Sequence, residues 1–324
     1  MSTSTARPGR RATATAVAGL LALAAAAAGC TSGPGGPGGT DGAQAAAAAG
    51  ADTAAWPDAT PRQGLAKGLS LPLEDYMQTY QDTVVLERAS RKLQSECMAR
   101  YGFQVTFPPV GVNPPPNDND ANIERRYGIT DRATAERYGY GLAEEPDQRG
   151  QRMPKLSEAA VAVLTGRVAF SPEASAAPRS YRGKKIPEGG CGRWAVDRIG
   201  SSKPDFSLVS KLDHDSLDQS QQTAPVRSAL AAWSRCMKGK GYDVGTPYEA
   251  PKLAPSAGDR PSQRAVNVAL ADIDCKESVD LVRIWFEQDA EIQRRQIEAH
   301  QLELTEAKKL NESALKTAEQ ALRA

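Results

Sequence analysis

One twelve-residue pattern occurs twice in the chain and constrains the architecture that the sequence can adopt. Gln94–Val105 and Trp233–Val244 carry Ser, Cys, Met, Gly, an aromatic residue and Val at matching positions, 139 residues apart. In each copy the glycine, Gly102 or Gly241, is suited to the left-handed conformation that ends a helix, after which the aromatic residue and the valine turn back onto that helix. The repeat predicts a mainly α-helical protein with two pseudo-repeated helical units.

The first 30 residues have the features of an export signal. Three arginines precede the apolar run Val17–Ala28, whose 12 residues are too few to span a bilayer stably. The following Ala27-Ala28-Gly29-Cys30 junction resembles that of a bacterial lipoprotein signal. This implies that Cys30 is acylated, becomes the mature N-terminus and anchors the protein to the extracytoplasmic face of the cell membrane. The alternative is cleavage as an ordinary signal peptide, and Arg10–Arg11 leaves the general and twin-arginine export routes both open.

The charge of the mature chain indicates that it does not bind nucleic acid. Removal of residues 1–30 leaves 37 basic and 39 acidic residues, so the formal charge changes from +1 to −2. A broad basic face that would attract nucleic acid or an anionic membrane is therefore not expected. Residues 31–68 are rich in Gly, Ala and Pro, which predicts a disordered tether between the anchor and the body.

Two helical units are predicted after the tether. The first, residues 69–200, contains a predicted helix from Tyr76 to Tyr101 and then a loop-rich insertion, because proline and glycine are frequent after Val105. The second, residues 201–324, contains a polar helix, a helix that begins at Pro225 and a long C-terminal helix.

The end of the chain favours one long helix. Ser262 is a good N-cap, and the 63 residues from it to Ala324 include neither Gly nor Pro, so a single helix of up to ~95 Å is possible. Its first half carries a wide apolar stripe that is expected to pack on the body. The second half has a leaner stripe with little body to cover it. That stripe indicates coiled-coil packing on a protein partner or a second copy of the chain, and the alternative is a solvated tail.

The cysteines after Cys30 predict two disulfides. Four is an even number, and the chain is predicted to enter an oxidising compartment. The repeat favours Cys97 with Cys191 and Cys236 with Cys275, each bridge joining a helix end to the next cysteine along the chain. The competing interpretation, a metal or redox site, has little support because no two cysteines have C-x-x-C spacing.

Residues suited to catalysis are scarce. The chain has two histidines, His214 and His300, and each lies in a polar stretch typical of a solvated surface residue. The common nucleophile, zinc-binding and phosphate-loop motifs are missing from the sequence. We therefore predict no catalytic residue, no cofactor and no metal site.

Two sets of residues in the insertion leave alternatives open. The carboxylates Glu144, Glu145, Asp147 and Glu158 could include a pair for cell-wall hydrolysis, since such pairs have no fixed spacing. The arginines and tyrosines between positions 125 and 140 could hold a glycan or an anionic wall polymer. An exposed helical face of mixed charge is the simpler interpretation of that second set, because acidic residues are interspersed with the basic ones.

The motifs of this chain occur together in one family. They are the lipoprotein signal, Leu71–Met77, Cys97-Met98 with Gly102-Phe103, Gly189-Gly190-Cys191, Trp233–Met237 with Gly241-Tyr242, and Ala271–Lys276. In this combination the chain resembles a group of uncharacterised cell-surface lipoproteins of high-GC actinobacteria, over most of residues 69 to 300. The resemblance implies a membrane-anchored helical protein whose relatives often accompany cell-wall-binding or transporter components. We therefore expect a non-enzymatic interaction or accessory component of an envelope or transporter assembly, with a solute- or glycan-binding lipoprotein as the alternative.

Overall fold

The fold is mainly helical, as the sequence predicts. The computed structural model describes residues 56–57, 60–112, 123–142, 153–254 and 261–324. The predicted signal peptide, Cys30 and most of the predicted tether lie outside these residues. The α-helices are α1 (Tyr80–Arg100), α2 (Arg132–Tyr138), α3 (Glu158–Thr165), α4 (Gly190–Ile199), α5 (Ser207–Gln221), α6 (Ala224–Gly239), α7 (Gln263–Ser278), α8 (Leu281–Ala299) and α9 (Gln301–Arg323). Strands β1 (Ser180–Tyr181) and β2 (Lys184–Lys185) form a hairpin, and Pro72–Tyr76 and Ala250–Leu253 are 3₁₀ helices.

Local hydrogen bonds fix where α1 begins. The Thr79 hydroxyl accepts a hydrogen bond from the Asp82 backbone N–H at 3.1 Å, and the Asp82 carboxylate accepts one from the Thr79 N–H at 3.0 Å. This capping box satisfies two N–H groups that the helix itself leaves free. The helix therefore starts at Tyr80 rather than at the predicted Tyr76, and Pro72–Tyr76 forms a separate 3₁₀ helix.

The two copies of the repeated pattern end their helices with the same hydrogen bonds. Ser95 and Ser234 each donate a side-chain hydrogen bond to the valine carbonyl ten residues later, at 2.9 and 2.6 Å. The amides of Phe103 and Tyr242 bond to the methionine carbonyl five residues earlier, at 3.1 and 2.9 Å. The glycine before each aromatic residue has a positive φ, 84° and 88°. The repeated residues therefore have the same local role, which is to terminate α1 and α6.

Both disulfides are present with the predicted pairing. Cys97 is bonded to Cys191 and Cys236 to Cys275, with Cα–Cα distances of 5.7 and 5.6 Å. The first bridge joins the end of α1 to the start of α4, and the second joins the end of α6 to α7. Each repeated segment is thus linked covalently to a second helix.

The largest cluster of the core surrounds two tryptophans. Trp233 of α6 and Trp285 of α8 are fully buried, and the Tyr127 ring lies 5.2 Å from the Trp285 ring. The Trp233 indole donates to the Asp272 carboxylate at 2.9 Å, and the Trp285 indole donates to Ser220 Oγ at 2.8 Å. Burial of these rings supplies much of the apolar area of this cluster, while their polar N–H groups remain satisfied.

The prediction of one continuous C-terminal helix is wrong. The segment forms α7, α8 and α9, separated at Asp280, which has a φ of 55°, and at His300, which has a φ of −121°. A left-handed residue other than glycine costs about 1 kcal/mol. The break lets Leu281 and Trp285 enter the core, where both are fully buried, and this burial outweighs the local cost. The long C-terminal helix is α9, with 23 residues.

Helix α9 packs on the body along its length, contrary to the expectation that its stripe has little body to cover it. Ala314 and Ala318 are buried against α1 and α4, and Leu304 is buried against the 3₁₀ helix and α5. Lys92 on α1 also donates a hydrogen bond to the Ala321 carbonyl at 2.8 Å. Helices from the two predicted units therefore share a core, and the described residues belong to one compact unit.

The packed body begins before residue 69, the predicted start of the first helical unit. Ala66 is fully buried, and the Leu65 amide donates to the Thr130 carbonyl at 3.0 Å. Residues 60–68 therefore belong to the folded body and pack at the edge of its hydrophobic core. None of the helices in the described ranges has the length and apolar character needed to cross a bilayer.

Candidate interaction surface

A short hairpin in the predicted insertion projects basic side chains from the body. Strand β1 pairs with β2 in antiparallel register, with Tyr181 opposite Lys184. Arg182 and Gly183 form the turn, with φ angles of 46° and 76°. Left-handed conformations at both central residues match the right-handed twist of the flanking strands. The chain therefore reverses within two residues, and Arg182 is exposed at the tip.

The hairpin is fastened to the end of α1. The Tyr101 hydroxyl donates to the Lys185 carbonyl at 2.5 Å, and Lys184 Nζ donates to the Arg100 carbonyl at 2.6 Å. The second bond satisfies one of the carbonyls that a helix C-terminus leaves free, and it places a cation at the negative end of the helix dipole. The first repeated segment thus also positions the hairpin.

Glycine is required where the hairpin leads into α4. Gly190 has a φ of 73°, and a Cβ there would lie 2.5 Å from the Leu164 carbonyl oxygen and 2.6 Å from the Gly166 nitrogen. No side chain fits at such distances. The end of α3 can therefore approach the start of α4 closely, next to Cys191 and its disulfide.

The turn before the hairpin exposes two apolar side chains. Residues 166–177 fold back on themselves, with the Val168 amide bonded to the Ser175 carbonyl and the Ala177 amide bonded to the Gly166 carbonyl, at 3.0 and 2.9 Å. Val168 is 48% exposed, and Phe170 near the tip of the turn is 60% exposed. A side chain as large and apolar as that of Phe170 is usually covered in a folded protein.

Basic residues dominate the same region. Residues 166–188 contain five basic and two acidic residues, a local net charge of +3 in a chain whose total is +1. Arg179, Arg182, Lys184 and Lys185 are exposed and form no ion pair with any described residue. Because the whole chain is nearly neutral, its total charge does not reveal this patch. The expectation that the protein lacks a broad basic face therefore does not hold for residues 166–188.

We call the exposed side chains of this region the hairpin surface. It consists of Val168, Phe170, Arg179, Arg182, Lys184 and Lys185. Two clefts lie beside it. One, of about 610 Å³, is lined by Gly166, Arg179, Lys185 and Glu188, and the other, of about 250 Å³, is mainly apolar and lined by Val163, Val168, Tyr181 and Ile186. The surface is suited to contact with an anionic partner that also offers apolar groups.

The arginine and tyrosine set between positions 125 and 140 is used mostly inside the protein. Arg126 donates to the buried Asp289 at 2.6 Å and to Asp213 at 2.7 Å. Burial disfavours the charged form of Arg126, but its hydrogen bonds and ion pairs with these carboxylates outweigh burial and raise its pKa. Tyr127 is fully buried and donates to Asp289 at 3.0 Å, and Arg125 donates to two backbone carbonyls. These contacts do not favour a groove for a glycan.

A second buried ion pair supports α7. Lys276 Nζ donates to the Asp272 carboxylate at 3.2 Å and to the Ile129 carbonyl at 2.8 Å, and both charged side chains are fully buried. The Tyr140 hydroxyl also donates to Asp272, at 3.2 Å. Burial raises the pKa of Asp272 and lowers that of Lys276, and their mutual attraction opposes both shifts. This cluster is enclosed by the core, so its geometry is that of a structural link.

The other candidate catalytic or metal-binding residues do not form a site within the described residues. Glu158 is exposed at the start of α3, whereas Glu144, Glu145 and Asp147 lie outside the described residues. His214 is exposed, and its Nδ1 lies 2.8 Å from the Ser210 carbonyl oxygen. Within the ranges that the structure describes, no three His, Cys, Asp or Glu side chains are grouped as a metal site requires.

Comparisons of the chain with models of protein families, with curated proteins and with solved structures found no match. Its function is therefore inferred from its own sequence and geometry. The hairpin surface was not predicted from the sequence, because its residues lie in the segment predicted to be a loop-rich insertion. The signal that could have revealed it is Ser180–Lys185, where Gly183 is suited to a tight turn and three of six residues are basic.

Proposed function

We propose that this chain is a lipid-anchored extracytoplasmic protein that acts by contact, as a non-enzymatic interaction or accessory component of an envelope or transporter assembly. The export signal and Cys30 support the anchor, and the family resemblance supports the cellular setting. The observation that carries the proposal is the hairpin surface, where cations without ion pairs lie on a hairpin fastened to α1 and the exposed Val168 lies beside that hairpin. Exposed patches of this kind are typical of interaction sites.

The hairpin surface replaces the C-terminal helix as the proposed contact site. Most apolar side chains of α9 that were expected to bind a partner or a second copy pack on the body instead. Leu302 is the main exception, at 82% exposure, but it lies among polar residues on the helix surface. A single exposed leucine needs no partner to explain it.

A solute- or glycan-binding role is the second candidate, and the cleft of about 610 Å³ favours it. Arg179, Lys185 and Glu188 line this cleft, so it offers both donors and an acceptor to a small polar ligand. Titration calorimetry with muropeptides and wall sugars tests this role. Saturable binding that is lost in Arg179→Ala would favour it over the contact function.

The contact function is tested by site-specific crosslinking in cells that make the lipoprotein. A photoreactive phenylalanine derivative replaces Phe170 in one variant and Leu302 in a matched control, since both side chains are exposed and apolar but belong to different structural elements. After illumination, the protein is purified and its adducts are identified by mass spectrometry. We expect envelope-derived adducts, protein or lipid, at position 170 and few or none at position 302.

Absence of adducts at position 170, or the same adducts in equal yield at both positions, would refute contact through the hairpin surface. Co-purification from native membranes in mild detergent then tests whether the protein belongs to a protein assembly. A transporter or wall-binding component that is retained by the wild type and lost by Arg182→Glu would support the accessory role.

A further inference from the structure

We propose that the hairpin surface binds the anionic phospholipid headgroups of the membrane that holds the anchor, with Phe170 and Val168 entering the interfacial layer. This inference rests on the proposed function, because it names the partner of the same surface. It follows from three features of the chain, which are the pairing state of the cations, the position of the apolar residues and the distance from the anchor.

The cations of the hairpin are available to an external anion. Arg179, Arg182 and Lys185 have exposed side chains that form neither an ion pair nor a hydrogen bond with described residues. The carboxylates nearest in the chain, Glu173 and Glu188, leave the net charge of residues 166–188 at +3. Clustered cations of this kind gain most when they meet a surface of many negative charges.

The apolar residues distinguish a bilayer from a soluble polyanion. Phe170 and Met153 line one cleft, and Val168 lines another with Ser180 and Tyr181 of the hairpin. Exposed aromatic and aliphatic groups next to basic ones are typical of proteins that rest on the membrane interface, where the apolar groups are buried among the lipids. A hydrophilic polymer would satisfy the cations but would leave Phe170 in water.

The length of the N-terminal segment is compatible with this contact. Twenty-five residues separate Cys30 from Trp56, whose indole donates to the Gly111 carbonyl at 2.8 Å. Even when fully extended, a chain of that length spans at most about 90 Å. An acylated Cys30 would therefore hold the body close to the bilayer, so that even weak headgroup contacts of the hairpin would be frequently occupied.

The hairpin is also fixed in place before any contact occurs. Its hydrogen bonds to the end of α1 and the adjacent Cys97–Cys191 bridge restrict the positions of the basic side chains. A preorganised surface loses less conformational entropy on binding than a mobile loop does.

Vesicle flotation tests the inference without the acyl chain. The protein is the processed chain from residue 31, which contains every residue that the structure describes. Its probes are phosphatidylcholine vesicles with and without phosphatidylglycerol. We expect binding to the anionic vesicles only, and weaker binding at high salt.

Charge-reversal variants locate the contact. Arg182→Glu with Lys185→Glu should weaken partitioning by at least about 30-fold, because each lost basic residue contributes about fivefold near an anionic surface and the new carboxylates are repelled by it. The matched control, Lys309→Glu with Lys316→Glu, makes the same charge change at exposed positions of α9 and should bind as the wild type does. Phe170→Ser should weaken binding several-fold without changing the charge. Thermal unfolding of each variant shows whether it is folded, and Arg182→Gln with Lys185→Gln replaces the reversal variant if that one is not.

Equal binding to both kinds of vesicle, or equal loss in the hairpin and α9 variants, would overturn the inference. Binding to a soluble anionic wall polymer without binding to vesicles would also overturn it. If the vesicles are not bound but position 170 crosslinks to a protein in cells, the contact function stands and only the lipid inference fails.

Discussion

Glu74 makes the stability of this protein depend on pH. It belongs to the 3₁₀ helix Pro72–Tyr76, and its Oε2 accepts a hydrogen bond from Ser70 Oγ at 2.7 Å. Its Oε1 is buried and has no hydrogen-bond partner within the described part of the chain. Burial raises the pKa of Glu74 from 4.5 to about 7, and the nearby Asp213 carboxylate adds to the shift.

The sign of the effect follows from proton linkage. Because its folded-state pKa is higher than its unfolded-state pKa, Glu74 takes up a proton on folding between about pH 4.5 and pH 7. The free energy of unfolding therefore falls as the pH rises through this interval. The difference of about 2.5 pKa units corresponds to at most about 3.4 kcal/mol. Since the side chain is only partly buried, we expect about 1 to 2 kcal/mol.

Glu74→Gln removes this penalty. Glutamine has nearly the same shape, it can still accept the hydrogen bond from Ser70, and its neutral amide costs less to bury than a carboxylate. Urea unfolding should show that the variant exceeds the wild type by about 1 to 2 kcal/mol at pH 8 and by almost nothing at pH 4. Asp75→Asn, which removes an exposed neighbouring carboxylate, is the control. The same difference at both pH values, or an equal gain in the control, would refute burial as the cause.

Three further predictions concern stability. Removal of the Cys97–Cys191 bridge by paired alanine substitutions should lower the free energy of unfolding by up to about 4.7 kcal/mol, because the bridge closes a 94-residue separation. Removal of the second disulfide, with a separation of 39, should lower it by up to about 3.9 kcal/mol. Urea unfolding of the two variants shows whether the first loss is the larger. Arg126→Met leaves the buried Asp289 without its cation and should cost about 3 to 5 kcal/mol; most of that loss should be recovered in the double variant with Asp289→Leu, which calorimetry can check. Truncation after His300 removes α9 and should destabilise the body by more than about 3 kcal/mol, because buried Leu304 and its neighbours are lost; an unchanged melting temperature would mean that α9 is a free tail.

The hairpin surface shows why a site can escape a reading of the sequence. Its residues are ordinary surface types, and Arg-Gly is a less common hairpin turn than Asn-Gly or Asp-Gly. Arg179 and Lys185 become neighbours across a cleft only after the chain reverses at Gly183. The exposure of Phe170 is likewise decided by what the rest of the protein leaves uncovered.

The sequence by itself determined the features that depend on residues close together in the chain. The helix ends at Gly102 and Gly241 and the N-cap at Ser262 follow from residues within one turn. The disulfide pairing also followed, because a duplicated helix end implies an equivalent partner for Cys97 and for Cys236.

Tertiary structure alone decided the rest. No local signal in the sequence marks the breaks at Asp280 and His300. The breaks are stabilised by burial of α8 and α9 against helices distant in sequence. The same packing covers the apolar stripe of α9 and leaves the hairpin surface exposed. Local hydrogen bonds involve residues a few positions apart, whereas burial depends on which distant segments the whole chain brings together.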